Sequence, residues 1–214
     1  MVAIKTYAPP RELMVWPLDL FSTDMDTYTD QDRYSDQDTY SDQDTYSVGQ
    51  PIEEEAKWWV LHTRSRAEKS LARQLAEKSV AHFLPMYERR RRVQRRVVRT
   101  ILPLFPGYLF LRGDDDGRRV ALETNLVANC LRVDDQENVS NDLMRILALI
   151  ESGVQLSPES RLQPGNPARI IKGPMAGMEG IVLRRKSGFR FVVAVNFLQQ
   201  GAGVEVDDCM LEPI

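Results

Sequence analysis

The chain has 214 residues, 43% apolar and 28% charged, which is room for one medium domain or two small ones. No run approaches the roughly 20 apolar residues of a membrane helix, and no apolar leader opens the chain. Cys130 and Cys209 lie far apart with no CxxC, which argues against a disulfide framework or a cysteine zinc site and for a cytoplasmic protein. The net charge of −3 hides an asymmetry: residues 1–56 carry 13 acidic and 3 basic side chains, residues 57–214 carry 18 and 25. A basic body points to polyanionic partners.

Residues 24–47 repeat D-x-D-x-Y-[S/T] four times, starting at Asp24, Asp30, Asp36 and Asp42. No apolar face builds up at period 2 or 3.6. Such a segment buries too little surface to offset its ordering entropy, so residues 1–56 are expected to be a disordered acidic tail. A solvated tail, a nucleic-acid mimic, a phosphorylation segment and an overextended reading frame all fit the repeat. An EF-hand loop does not, because its Gly and final Glu are missing.

Order is expected from Lys57. Trp58-Trp59-Val60-Leu61-His62 reads as a strand. Ser65-Arg66-Ala67-Glu68 has the pattern of a capping box, and Ala67, Leu71, Leu75 and Ala76 form one apolar stripe to about Ser79. An extended segment follows Phe83-Leu84-Pro85. Residues 89–99 hold Arg89, Arg90, Arg91, Arg92, Arg95, Arg96 and Arg99, interleaved with Val93, Val97 and Val98, which predicts a strand pair with a basic tip. Leu104-Phe105-Pro106-Gly107 turns into a strand at Tyr108-Leu109-Phe110-Leu111. Asp114-Asp115-Asp116 starts a short helix over Arg118–Glu123. Leu131-Arg132-Val133 is a short strand, and Ser140 caps a helix with Leu143, Ile146, Leu147 and Ile150 on one face. This makes residues 57–151 an α+β domain. Residues 152–163 read as a linker. From Pro164 to Ile214, short strands over Ala168–Ile171, Gly180–Arg185, Phe189–Phe197 and Gly203–Val206 suggest a small all-β barrel.

The chain lacks a P-loop, G-x-G-x-x-G, H-E-x-x-H and G-x-S-x-G. His62 and His82 are read as surface or structural, and Glu53–Glu55 and Asp114–Asp116 as solvated charge runs. No catalytic residue, metal site or cofactor is expected. Arginine is the residue suited to phosphate, so the run over residues 89–99 is expected to meet a polyanion. It lacks the aromatics of a single-strand stacking platform. The aromatics Trp58, Trp59, Phe105, Tyr108 and Phe110 divide between core and an apolar partner surface. Gly173, Gly177 and Gly180 are expected to supply turn conformations.

The stretch from Gly165 to Val182 resembles a KOW motif, carried by Gly165, Ile170, Ile171, Gly173-Pro174, Gly177, Gly180 and Val182. Trp58-Trp59-Val60-Leu61 with Glu68 and Leu75, and then Leu104-Phe105-Pro106-Gly107-Tyr108-Leu109-Phe110, resemble the NusG N-terminal domain. The order of the two is that of the NusG/RfaH family. The resemblance implies an α/β sandwich domain followed by an SH3-like KOW barrel, in a monomer. It implies a transcription elongation and antitermination factor that binds the clamp helices of the largest RNA polymerase subunit. By the same resemblance, the clamp-helix pocket falls on Trp59, Phe105, Pro106, Tyr108 and Phe110. Contacts to non-template DNA fall on Arg64, Arg66, Thr124 and Asn125. An edge at Phe197 and Leu198 would meet Rho or a small-subunit ribosomal protein. The family's polar motif near Arg118-Arg119-Val120 is not recognisable, and the hairpin is more basic than is usual. These departures favour a specialised paralogue over a general NusG. A KOW-containing RNA-binding or ribosome-associated protein is the other reading. The barrel, rich in Gly, Pro and β-branched residues, is expected to remain β.

Overall fold

The computed structural model describes residues 14–21, 56–161, 163, 165–185, 188–207 and 210–214. Its strands in chain order are β1 (Val15–Trp16), β2 (Lys57–Thr63), β3 (His82–Phe83), β4 (Met86–Val93), β5 (Arg96–Pro103), β6 (Tyr108–Gly113), β7 (Val127–Arg132), β8 (Ser157–Glu159), β9 (Asn166–Ile170), β10 (Glu179–Arg185), β11 (Gly188–Val195), β12 (Gln200–Val206) and β13 (Leu211–Pro213). The helices are α1 (Glu68–Glu77), α2 (Asp115–Glu123) and α3 (Gln136–Glu151). The mixed α and β content agrees with the reading of the sequence. The acidic repeat lies outside the described residues.

One antiparallel sheet has the order β1-β3-β6-β2-β7. Register fixes its two faces, because directly paired residues point the same way and neighbours along a strand point oppositely. Trp58 pairs with Arg112, Val60 with Phe110 and His62 with Tyr108, so these six share one face. Trp59, Leu61, Leu109 and Leu111 share the other. Arg118 of α2 sits over Trp59 at 5.1 Å and so marks the second face as the one that α2 covers.

Residues 14–21 depart from the expectation of a structureless tail. Val15 and Trp16 pair with Phe83 and His82 along the sheet edge. Met14 and Val15 are buried. Phe21 stacks on Trp58 at 5.6 Å and meets Phe83 edge-on at 5.1 Å. The reason lies in composition: Met14-Val15-Trp16, Leu18, Leu20 and Phe21 form an apolar island within an acidic stretch.

Two helix starts also differ. The Ser65–Glu68 pattern does not form a capping box: α1 begins at Glu68, and its N-cap Ala67 makes no side-chain bond. Helix α3 begins before Ser140. Asp135 is its N-cap, and its carboxylate accepts from the Asn138 amide at 3.0 Å. Gln136 then ties α3 to the first sheet, accepting from Trp58 N at 2.6 Å and donating to Trp58 O at 3.1 Å. The short helix with an acidic start is present, but it begins at Asp115 rather than Arg118, and Asp114 is its N-cap, accepting from Gly117 N.

A second antiparallel sheet has the order β13-β9-β10-β11-β12-β8. Strand β8 comes from the stretch expected to be linker, and it pairs with β12. Helix α3 touches both β2 and β11, so its apolar face (Leu143, Ile146, Ile150) lies in one continuous core with Val193 and Val195. Asp142, only 3% exposed, marks the junction. Its carboxylate accepts from Asn196 N at 2.9 Å and Nδ2 at 3.2 Å, with Arg145 at 3.7 Å.

His82 gives the fold a pH dependence. Burial holds its imidazole below the ordinary value of 6.5, and a bond from Nδ1 to the Val80 carbonyl offsets part of this. A depressed value means that the unfolded chain takes up the proton more readily. The contribution is therefore complete above about pH 6.5 and is lost as pH falls through the lower folded value. Denaturant melts between pH 7.5 and pH 5 are expected to show this loss, and His82→Gln to flatten it.

Candidate functional site

Three loops converge at one end of the first sheet. The first follows β2, the second precedes β6, and the third joins α2 to β7. Thr63 N donates to Gly107 O at 2.8 Å, and Arg64 N donates to Leu126 O at 2.8 Å. These two bonds bring Arg64, Arg66, Pro106, Gly107, Thr124 and Asn125 to the same edge.

The Phe105–Tyr108 turn is held from below. Gly107 adopts φ +85°, a region that favours glycine. Its amide donates to Glu68 Oε1 at 2.7 Å, and Glu68 is only 7% exposed. Tyr108 N closes the turn on Phe105 O at 3.1 Å. Pro106 is exposed, Tyr108 is half-buried, and the Tyr108 ring lies 5.2 Å from that of exposed His62. His62, Pro106 and Tyr108 thus form the outward rim of a fixed turn.

The five residues assigned to the pocket by resemblance do not share one surface. Phe105 and Phe110 are 1% and 0% exposed and pack edge-on at 6.1 Å, inside the core. Trp59 lies on the opposite face from Tyr108 and Phe110, because it sits at an odd register step from them. There Arg118 covers it, and its indole Nε1 donates to Gly113 O at 3.2 Å. Of the five residues, Pro106 and half-buried Tyr108 reach the surface beside His62, and Trp59, also half-buried, does so on the opposite face. Glu68, part of the helix-start pattern and of the family resemblance, holds the Phe105–Tyr108 turn. No local pattern shows that its carboxylate would reach an amide 39 positions away.

Glu68→Ala removes the acceptor from a part-buried amide. A cost of about 1 kcal/mol is expected, together with faster amide exchange at Gly107. A variant as stable and protected as the parent would contradict this role.

The other nucleic-acid candidates divide in two. Arg64, Arg66 and Asn125 are exposed on the converging loops, Arg66 and Asn125 both at φ +60°. The Thr124 hydroxyl is turned inward, donating to Ala121 O at 2.7 Å and accepting from Leu126 N at 3.2 Å. The seven arginines lie on β4, β5 and their turn, a separate two-stranded sheet. Lys69 Nζ donates to Ile101 O at 2.7 Å and anchors the hairpin base beside α1.

In the second sheet, Ile170 is fully buried, Val182 is half-buried and Pro174 is exposed. Gly165 and Gly180 serve close packing: a Cβ on Gly165 would stand 2.4 Å from Ile181 Cγ2. Gly173 and Gly177 do adopt the positive φ expected of them, but Gly180 does not, a correction to its reading as a turn glycine. Phe197 is 38% exposed and Leu198 half-buried, on a 3-10 turn over Asn196–Leu198 that also touches α3.

Among the described residues, no group of three or more His, Cys, Asp or Glu side chains is placed to hold a metal ion. None of the described helices is long and apolar enough to cross a membrane. Residues 56–147, from the start of β2 into α3, match the family model NusG, described as transcription termination factor nusG. No curated protein matches the chain.

Proposed function

From the NusG-family domain that the chain carries at residues 56–147, a domain of transcription elongation and termination factors that interact with RNA polymerase, we propose a polymerase-bound elongation and antitermination factor. It acts without catalysis, as a specialised paralogue on selected operons. The rim of His62, Pro106 and Tyr108 receives the tip of the clamp helices of the largest polymerase subunit. The observation that carries this reading is the locking of the Phe105–Tyr108 turn by Thr63 and Glu68. A turn held rigid before binding loses little entropy on docking, and a few anchored aromatics dominate such interfaces.

Arg64, Arg66 and Asn125 stand on the neighbouring loops, where the displaced non-template strand would pass. The second sheet is the KOW domain of this reading, and its Phe197–Leu198 edge meets Rho or a small-subunit ribosomal protein. The arginine-rich hairpin and the unfamiliar stretch at Arg118-Arg119-Val120 support the specialised role.

The test is the affinity of Tyr108→Ala for purified RNA polymerase. A hot-spot loss of about 2 kcal/mol, roughly thirtyfold, is expected with the fold intact. Unchanged affinity would remove the rim from the interface.

A further inference from the structure

The hairpin of β4 and β5 presents arginine on both of its faces. In its register Arg90 faces Arg99, Arg91 faces Val98, Arg92 faces Val97 and Val93 faces Arg96. One face therefore carries Arg90, Arg92, Val97 and Arg99, and the other Arg89, Arg91, Val93, Arg96 and Val98. Every residue from Arg91 to Thr100 is exposed. Val93, Val97 and Val98 are 44%, 61% and 47% exposed, with both faces contributing. A hairpin lying on a flat surface has one contacting face and one solvated face, and these differ in composition. Here both faces carry exposed arginine and valine.

Charge pairing is confined to the base. Glu88 holds Arg90 at 2.6 Å and Arg99 at 3.9 Å. Among the described residues no carboxylate pairs with Arg89, Arg91, Arg92, Arg95 or Arg96. They lie on both faces and at the tip.

The tip is Gln94-Arg95. Gln94 adopts φ +53°, a conformation in which Gly or Asn is the less strained choice. Strain of this kind collects where a side chain is needed. Gln and Arg are also the side chains that read adenine and guanine edges bidentately.

We propose that this ribbon enters the major groove of a B-form DNA duplex tip first. Arg95 and Gln94 meet base edges, and the arginines of the two faces meet the phosphates of the two groove walls. The major groove, about 12 Å wide and 8.5 Å deep, admits a two-stranded ribbon. About five exposed residues on each arm, rising roughly 3.3 Å apiece, reach beyond that depth. The major groove of A-form RNA is too narrow for such entry. Single strands are bound on aromatic platforms, and no aromatic lies between Glu88 and Thr100. Val93, beside the tip, fits the apolar contact that a thymine methyl offers.

The proposal rests on reading the hairpin as a nucleic-acid contact, and the two fail differently. The experiment titrates the full chain against a DNA duplex, its single strand and the RNA duplex of the same sequence over a range of salt. Each phosphate contact contributes about 0.9 to the logarithmic salt slope. Arg92→Gln is expected to lower the slope on the DNA duplex by about 1, and Arg89→Gln with Arg91→Gln and Arg96→Gln by about 3. Arg95→Ala is expected to weaken binding at least fivefold and to relax sequence preference. A slope change from one face alone, or equal affinity for single strand or RNA duplex, would overturn groove entry while leaving a nucleic-acid contact standing. Unchanged binding in all variants would remove the nucleic-acid contact itself. Variants that lose polymerase affinity and keep DNA affinity would assign the hairpin to an acidic protein surface instead.

Discussion

Phe110→Ala is expected to destabilise the first sheet by about 3–5 kcal/mol, the range for deleting a fully buried aromatic ring. Phe110 is 0% exposed. Its ring sits 6.4 Å from Phe83 and 6.1 Å from Phe105, and Phe83 in turn meets Phe21. Removing it opens a cavity at the centre of this chain of rings. Against a typical domain stability of about 5–15 kcal/mol, that loss leaves little margin. Urea denaturation measures it directly. A midpoint unchanged from the parent would contradict the placement of Phe110 in the core. The consequence for function is practical. Loss of partner binding in Phe110→Ala reports unfolding, whereas Tyr108, half-buried at the rim, can be truncated with the core left in place.

Gly180→Val is expected to disrupt the second sheet by about 2–3 kcal/mol or more, the cost of forcing atoms into a packed interior. A Cβ at this position would stand 2.6 Å from the Val192 carbonyl oxygen and 2.7 Å from Phe191 Cζ. Strand β10 lies between β9 and β11, so the backbone cannot retreat without breaking one ladder. Gly173→Ala provides the contrast. Its surroundings are open and only its φ of +87° resists the substitution, at about 1–2 kcal/mol. Amide exchange along β10 and β11 separates the two. Equal protection in parent and Gly180→Val would contradict the close packing.

What the sequence made legible followed from local pattern. Trp58–His62 and Tyr108–Leu111 are strands because aromatic and branched side chains fit a pleated surface. The arginine run forms a hairpin because Val93, Val97 and Val98 favour extended backbone over helix. Long-range partners were not legible. Glu68 satisfies a helix-start pattern, yet its carboxylate serves Gly107. Asp142 looks like any polar residue of an amphipathic helix, yet it is buried against Asn196. Trp58 and Trp59 are one step apart in sequence and on opposite faces in the sheet, and aromatic content alone does not say which residue takes which face. The island at Met14–Phe21 was masked by the charge around it, although its run of large apolar residues was the available signal.

The proposed rim and ribbon occupy different places. The rim caps the end of the first sheet, and the ribbon projects from beside α1. On the proposed reading, polymerase meets one surface and duplex DNA the other.

The measurement that tests the central claim most directly is chromosomal occupancy of the tagged chain, mapped beside RNA polymerase in its own cell. The account predicts occupancy that moves with polymerase within a limited set of transcribed operons. Occupancy with no relation to polymerase would contradict it.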